Sequence, residues 1–176
     1  MNHDKTPGWM RVALWAAAAY NVAWGAFVVA FPLEWFRWVG MAAPNYPQLW
    51  QCIGMIVGVY GVGYAIAAAD PMRHWPIVLV GLLGKVFGPL GFALAVARGE
   101  FPLAFGLTIV FNDLIWWLPF GLILRRVYRA WLREEDRRQA GTVAELLHTA
   151  HTQHGVSLGE LSGAAPTLTI FLRHFG

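Results

Sequence analysis

Four stretches of the chain, residues 12–31, 48–69, 75–97 and 102–124, run for about twenty residues or more with hardly a charge among them. A hydrocarbon core of about 30 Å is crossed by roughly 20 apolar residues at 1.5 Å rise each. Each stretch is therefore long enough to span a bilayer as an α-helix. In lipid every backbone N–H and C=O must be satisfied internally, so a spanning segment of this length has to be helical. Composition agrees: 57% of residues are hydrophobic and 13% charged, against about 25% charged in a typical soluble domain. The first stretch exceeds the h-region of a secretory signal and runs into Phe31-Pro32-Leu33-Glu34-Trp35 with no small-residue cleavage site, so it is read as retained.

The intervening segments 32–47, 70–74 and 98–101 carry Pro, Gly and charge and read as loops. Trp35, Phe36, Trp38 and Tyr46 in the first loop, with Trp9, Trp50, Trp75 and Trp131 near helix ends, suggest aromatic rings at the headgroup level, whereas Trp116 and Trp117 read as volume fillers. Four spans put both termini on one side. Lys5, Arg11, Arg73, Arg125, Arg126, Arg129 and Arg133 lie on that side, and Arg37 and Arg98 on the other. The excess of basic residues predicts a multi-pass protein of the cell (inner or plasma) membrane with both termini cytoplasmic. The same arginines largely account for the basic pI of 9.4 and would sit against the anionic inner leaflet, so no nucleic-acid partner is needed to explain the charge.

Within the spans a few polar residues stand out, because an ionisable group in hydrocarbon costs several kcal/mol unless paired or hydrated. These are Lys85 in the third span and Asn112 and Asp113 in the fourth. Counting back from the tight turn at 98–101 brings Lys85 and Asp113 to one depth. Tyr60 falls near it and Asn21 lies midway along the first span. Lys85, Asp113, Asn112, Tyr60 and Asn21 thus form one intramembrane polar layer. It reads either as a neutralised ion pair that fixes helix register or as a proton relay or ligand site. The latter would make the chain a small transporter or redox carrier. Gly54-x-x-x-Gly58 and the series Gly81, Gly84, Gly88, Gly91 favour close helix packing; they admit a homo-oligomer, though packing within one chain is the more economical account. Pro89 adds a kink and frees a carbonyl. The single cysteine, Cys52, is a packing residue of the second span.

After Leu124 the text alternates Arg with Glu and Asp, a helix with an apolar edge at Val127, Ala130 and Trp131. Gly141 is expected to break it, and Thr142 to Glu145 has the form of a capping box opening a second helix that ends near Gly155. His148, His151 and His154 recur on that helix, but no carboxylate or thiol completes a ligand set, so no metal is assigned. Thr167 to Leu172 reads as a buried strand.

Ser157-Leu158-x-x-Leu161-Ser162-Gly163, then Pro166 and Phe171-Leu172-Arg173-His174-Phe175-Gly176, resemble the opening of a thioredoxin-fold antioxidant protein of the peroxiredoxin-like branch of the alkyl hydroperoxide reductase and thiol-specific antioxidant family. Leu49-Trp50-Gln51-Cys52-Ile53-Gly54-Met55 and Asn112-Asp113-Leu114-Ile115-Trp116-Trp117 likewise resemble four-helix segments accompanying such domains in longer bacterial proteins. The resemblance implies a strand feeding a loop with the active cysteine, and the chain ends where that cysteine is expected. Arg173 and His174 would flank the missing redox site.

The expected fold class is therefore all-α: a four-helix transmembrane bundle (1–124), a cytoplasmic helical linker (125–155) and the first strand of an incomplete thioredoxin-like domain (156–176). The expected function is an anchor that places a thiol oxidoreductase at the cytoplasmic face; a four-helix interaction subunit is a further alternative. No catalytic residue and no cofactor can be named in this chain. The partners implied are the lipid bilayer, a cytoplasmic thiol-redox partner and a second copy of the chain.

Overall fold

A computed structural model describes residues 6–151 and 155–160. The chain forms α1 (Gly8–Ala30), a short α2 (Glu34–Trp38), α3 (Pro47–Ala69) and α4 (Trp75–Ala97). A 3-10 turn (Leu103–Phe105), α5 (Gly106–Ile109), a π-helical turn (Val110–Leu114) and α6 (Ile115–Thr149) follow. Four helices, the last running from Leu103 to Thr149, are long and apolar enough to cross a membrane. Prolines open α3 and α4, where a missing N–H costs nothing. Gly40 and Gly99, both at positive φ, close α2 and α4; Met41 N–H reaches the Phe36 carbonyl (2.8 Å) and Glu100 N–H the Ala95 carbonyl (2.9 Å), the Schellman arrangement.

In residues 1–127, one compact unit, neighbouring spans run antiparallel. The α1 and α3 backbones touch: a Cβ at Gly25 would lie 2.5 Å from the Gly54 carbonyl oxygen and 2.9 Å from Gly58 N, and one at Gly61 would lie 2.9 Å from the Ala18 carbonyl oxygen. The glycine pair in α3 therefore serves packing within the chain. The dry core joins Leu14, Ala17 and Ala18 of α1, Tyr64, Ala67 and Ala68 of α3, Val78 of α4, and Trp116, Phe120 and Ile123 of α6. These positions occupy the half of the bundle that holds the start of α1 and the end of α3.

Three expectations are corrected. The first loop contains α2, whose Phe36 is buried against Trp50 (ring centroids 5.3 Å), and Trp35 stands edge-on to Trp24 (4.9 Å); the rings pack on α1 and α3 as well as facing outward. The fourth span is not a uniform α-helix but passes through the π-helical turn. Gly141 does not break the tail helix, which runs on to Thr149; Thr142 lies inside it, its hydroxyl donating back to the Arg138 carbonyl (3.0 Å) instead of capping a new helix.

The second unit spans residues 128–176. Its helix carries the ion pairs Arg137–Glu134 (3.6 Å) and Arg138–Glu134 (3.8 Å). A capping box does form, at Ser157 and Glu160: the Glu160 N–H donates to Ser157 Oγ (3.1 Å) and the Ser157 N–H to Glu160 Oε2 (3.2 Å). The described residues include no strand, only an isolated bridge between His151 and Ser157. Lys5, His154, the expected strand at 167–172, Arg173 and His174 lie outside the described residues.

Candidate functional site: a polar cavity between the four spans

Lys85 projects from α4 into the bundle and is only 7% exposed. Two irregularities of the backbone receive it. Pro89 has no N–H for the carbonyl four residues earlier, which is that of Lys85 itself; the Trp117 indole N–H donates to this oxygen at 2.9 Å. Opposite, the π-helical turn shifts the i to i+4 ladder by a residue and turns carbonyls of the fourth span toward side chains. Lys85 Nζ donates to the Asn112 carbonyl at 2.5 Å and Trp116 Nε1 to that of Phe111 at 3.2 Å. A side chain of each helix thus reaches the main chain of the other.

The contact ion pair that the sequence register suggests between Lys85 and Asp113 is replaced by this lysine-to-carbonyl bond. Asp113 remains within electrostatic range of Lys85, with its carboxylate against Gly88, where a Cβ would lie 3.2 Å from Oδ2. Lys85 Nζ also stands 5.9 Å from the ring centroids of both Tyr64 and Trp116, within reach of a cation–π attraction.

Beside these groups lies a cavity of about 270 Å³ to which all four spans contribute. The five residues of the expected polar layer, Asn21, Tyr60, Lys85, Asn112 and Asp113, all line it. Trp50, Tyr64 and Thr108 join them. Asn21 and Thr108 are 3% and 7% exposed. Asn21 Oδ1, Trp50 Nε1, Thr108 Oγ1 and Asn112 Oδ1 are buried with no hydrogen-bond partner in the protein. Leaving such a group unpaired costs about 1–3 kcal/mol, and all four belong to residues that line this one cavity.

Sequence reasoning missed three of these residues. Thr108 gives no signal, because its hydroxyl can usually bond within its own helix. Trp50 reads as an interfacial ring, but it belongs to the cavity lining, flanked by the rings of Phe36 and Phe105 (6.0 Å). Tyr64, one turn beyond Tyr60, is the more buried tyrosine at 1% exposure, its ring 5.0 Å from that of Phe120. Trp117, read as a volume filler, is a partly exposed hydrogen-bond donor. Among the described residues no three His, Cys, Asp or Glu side chains lie together as metal ligands would. Comparison of the chain with protein families, with curated proteins and with solved structures gives no match.

Proposed function

We propose that this chain is a multi-pass membrane protein whose bundle binds a small molecule in the cavity around Lys85, and that its cytoplasmic tail is a separate unit. The support is the clustering of four buried, unpartnered polar atoms, on three different spans, in residues that line one space. A purely structural layer would spend its hydrogen bonds internally; this one leaves donors and acceptors free beside a lysine and an aspartate. A small-ligand carrier or redox-carrier site uses such groups directly.

Two near-isosteric changes test it. Thr108→Val and Asn21→Leu remove orphaned polar groups, so each should raise stability, by up to about 1–3 kcal/mol, while abolishing retention of the ligand. The protein is transferred from its own membrane into nanodiscs, and native mass spectrometry looks for a bound mass on the wild type that both variants lose. Destabilised variants that keep the adduct, or a wild type that carries none, would reject the ligand site.

The anchor role is a second reading, and the separation of residues 128–176 as a unit of their own favours it. Here the tail leads into a thioredoxin-like, peroxiredoxin-type domain, as the resemblance of residues 157–176 suggests, and meets a thiol-redox partner in the cytoplasm. Expressing the whole open reading frame and measuring thiol-dependent peroxide consumption tests it; activity that survives replacement of every cysteine beyond residue 176 would count against this reading.

A further inference from the structure

Four properties of the cavity narrow what it accepts, given that it binds a ligand at all. The first is access. Ile53, Ile56 and Tyr60 of α3 and Gly84 of α4 line the cavity and are exposed, so its mouth opens sideways, between α3 and α4, onto hydrocarbon. What comes in by that route is lipid-soluble.

The second is charge. Lys85 and Asp113 are the charged groups of the lining and have opposite sign. A charged guest would bring an uncompensated charge into the bilayer, at a cost of several kcal/mol; a neutral one adds none.

The third is hydrogen-bonding capacity. Trp50 Nε1 is a donor only, Thr108 can donate, and Lys85 directs one of its three N–H groups at Asn112. These suit carbonyl oxygens. Asn21 and Asn112 each present an amide that, turned by half a revolution, offers either its oxygen or its NH₂, so the same side chains serve a carbonyl or a hydroxyl.

The fourth is shape. Trp24, Trp50, Tyr60, Tyr64 and Phe105 line the space, and aromatic rings, edge-on or face-on, favour another flat ring. At about 270 Å³ it falls just short of the roughly 300–1,000 Å³ of drug-sized pockets, enough for one substituted ring but not a macrocycle. No His, Met or Cys lines it to ligate a haem.

We propose that the cavity holds the ring of a neutral, membrane-soluble quinone or its quinol, with ring oxygens bonded by Trp50, Thr108 and Lys85 and the hydrocarbon tail leaving between α3 and α4. This rests on the ligand-site reading and adds the class of ligand.

The test titrates the full chain in phosphatidylcholine nanodiscs with decylubiquinone, subtracting empty discs. Decylbenzene, a ring without carbonyls, and palmitate, an anion, are titrated alongside. Saturable binding of one decylubiquinone per chain is expected, at least tenfold weaker in Thr108→Val and in Trp50→Phe. It should be unchanged in Leu118→Ala, a lipid-facing position away from the cavity, and neither control should saturate. Thr108→Val keeps the test valid if Trp50→Phe fails to fold. Absence of saturable quinone binding, or equally tight decylbenzene binding, overturns the proposal. Saturable palmitate binding without quinone binding overturns the ligand class but leaves the site; no binding here together with no native adduct removes both.

Discussion

Lys85 joins two helices through main-chain atoms rather than through the oppositely charged residue nearby. Its carbonyl is left open by Pro89 and taken by Trp117, while its ammonium takes a carbonyl of the π-helical turn. The dependence of the first bond on the proline can be measured. Trp117→Phe should cost about 0.6 kcal/mol, the mean for hydrogen bonds between membrane helices, and at most about 1.7. With Pro89→Ala as background, position 89 regains an N–H for the Lys85 carbonyl, and the cost of Trp117→Phe should fall toward zero. Reversible unfolding in lipid–detergent micelles gives the four stabilities; strictly additive losses would mean that proline and tryptophan do not share that oxygen. Lys85, Asn112, Asp113 and Asn21 are legible in the sequence because they contrast with apolar neighbours. Trp50, Tyr64 and Thr108 are not, since these residue types are at home in membrane helices and only their placement sets them apart.

At the level of elements, α1 and α3 owe their close approach to glycines that leave backbone facing backbone. Gly25→Leu puts a side chain against the Gly54 carbonyl and the Gly58 amide, neither of which can rotate away. The loss should match or exceed the roughly 1–3 kcal/mol typical of overpacking. Gly91→Ala, with nothing within 4 Å of the added carbon, should be neutral or stabilising, as alanine favours helix over glycine by about 1 kcal/mol. Unfolding free energies of the two variants in one lipid system check the contrast; equal losses would sink the account of the α1–α3 contact. The sequence shows the spans within a few residues and the Gly54–Gly58 spacing, because length, hydropathy and small-residue periodicity are local. It does not show Gly25 as the partner of that pair, nor the π-helical turn, since no residue type encodes a π-turn. Helix α2 escaped notice because Pro32 and Gly40 bracket it as they would a loop.

For the whole molecule, the excess of Lys and Arg on one side of the spans leads us to propose that both termini are cytoplasmic. A cysteine-free background, Cys52→Ser, allows that to be measured with Glu100→Cys between the third and fourth spans and Arg138→Cys in the tail. A membrane-impermeant maleimide applied to intact cells should label position 100, and position 138 only after the cells are opened. The reverse pattern would invert the topology.

The cavity and the dry core divide the bundle unequally. Residues 21–24, 50–64, 81–85 and 105–113 supply the cavity lining, and toward the start of α1 the packed side chains of Tyr64, Trp116 and Phe120 fill the space between the helices. The hollow is therefore blind at that end, with the exposed Ile53, Ile56 and Tyr60 at its flank. A guest must leave by the way it came, so occupancy is governed by dwell time at one doorway, two ligands compete rather than follow each other through, and sealed vesicles carrying the protein should gain no net flow from one leaflet's water to the other's.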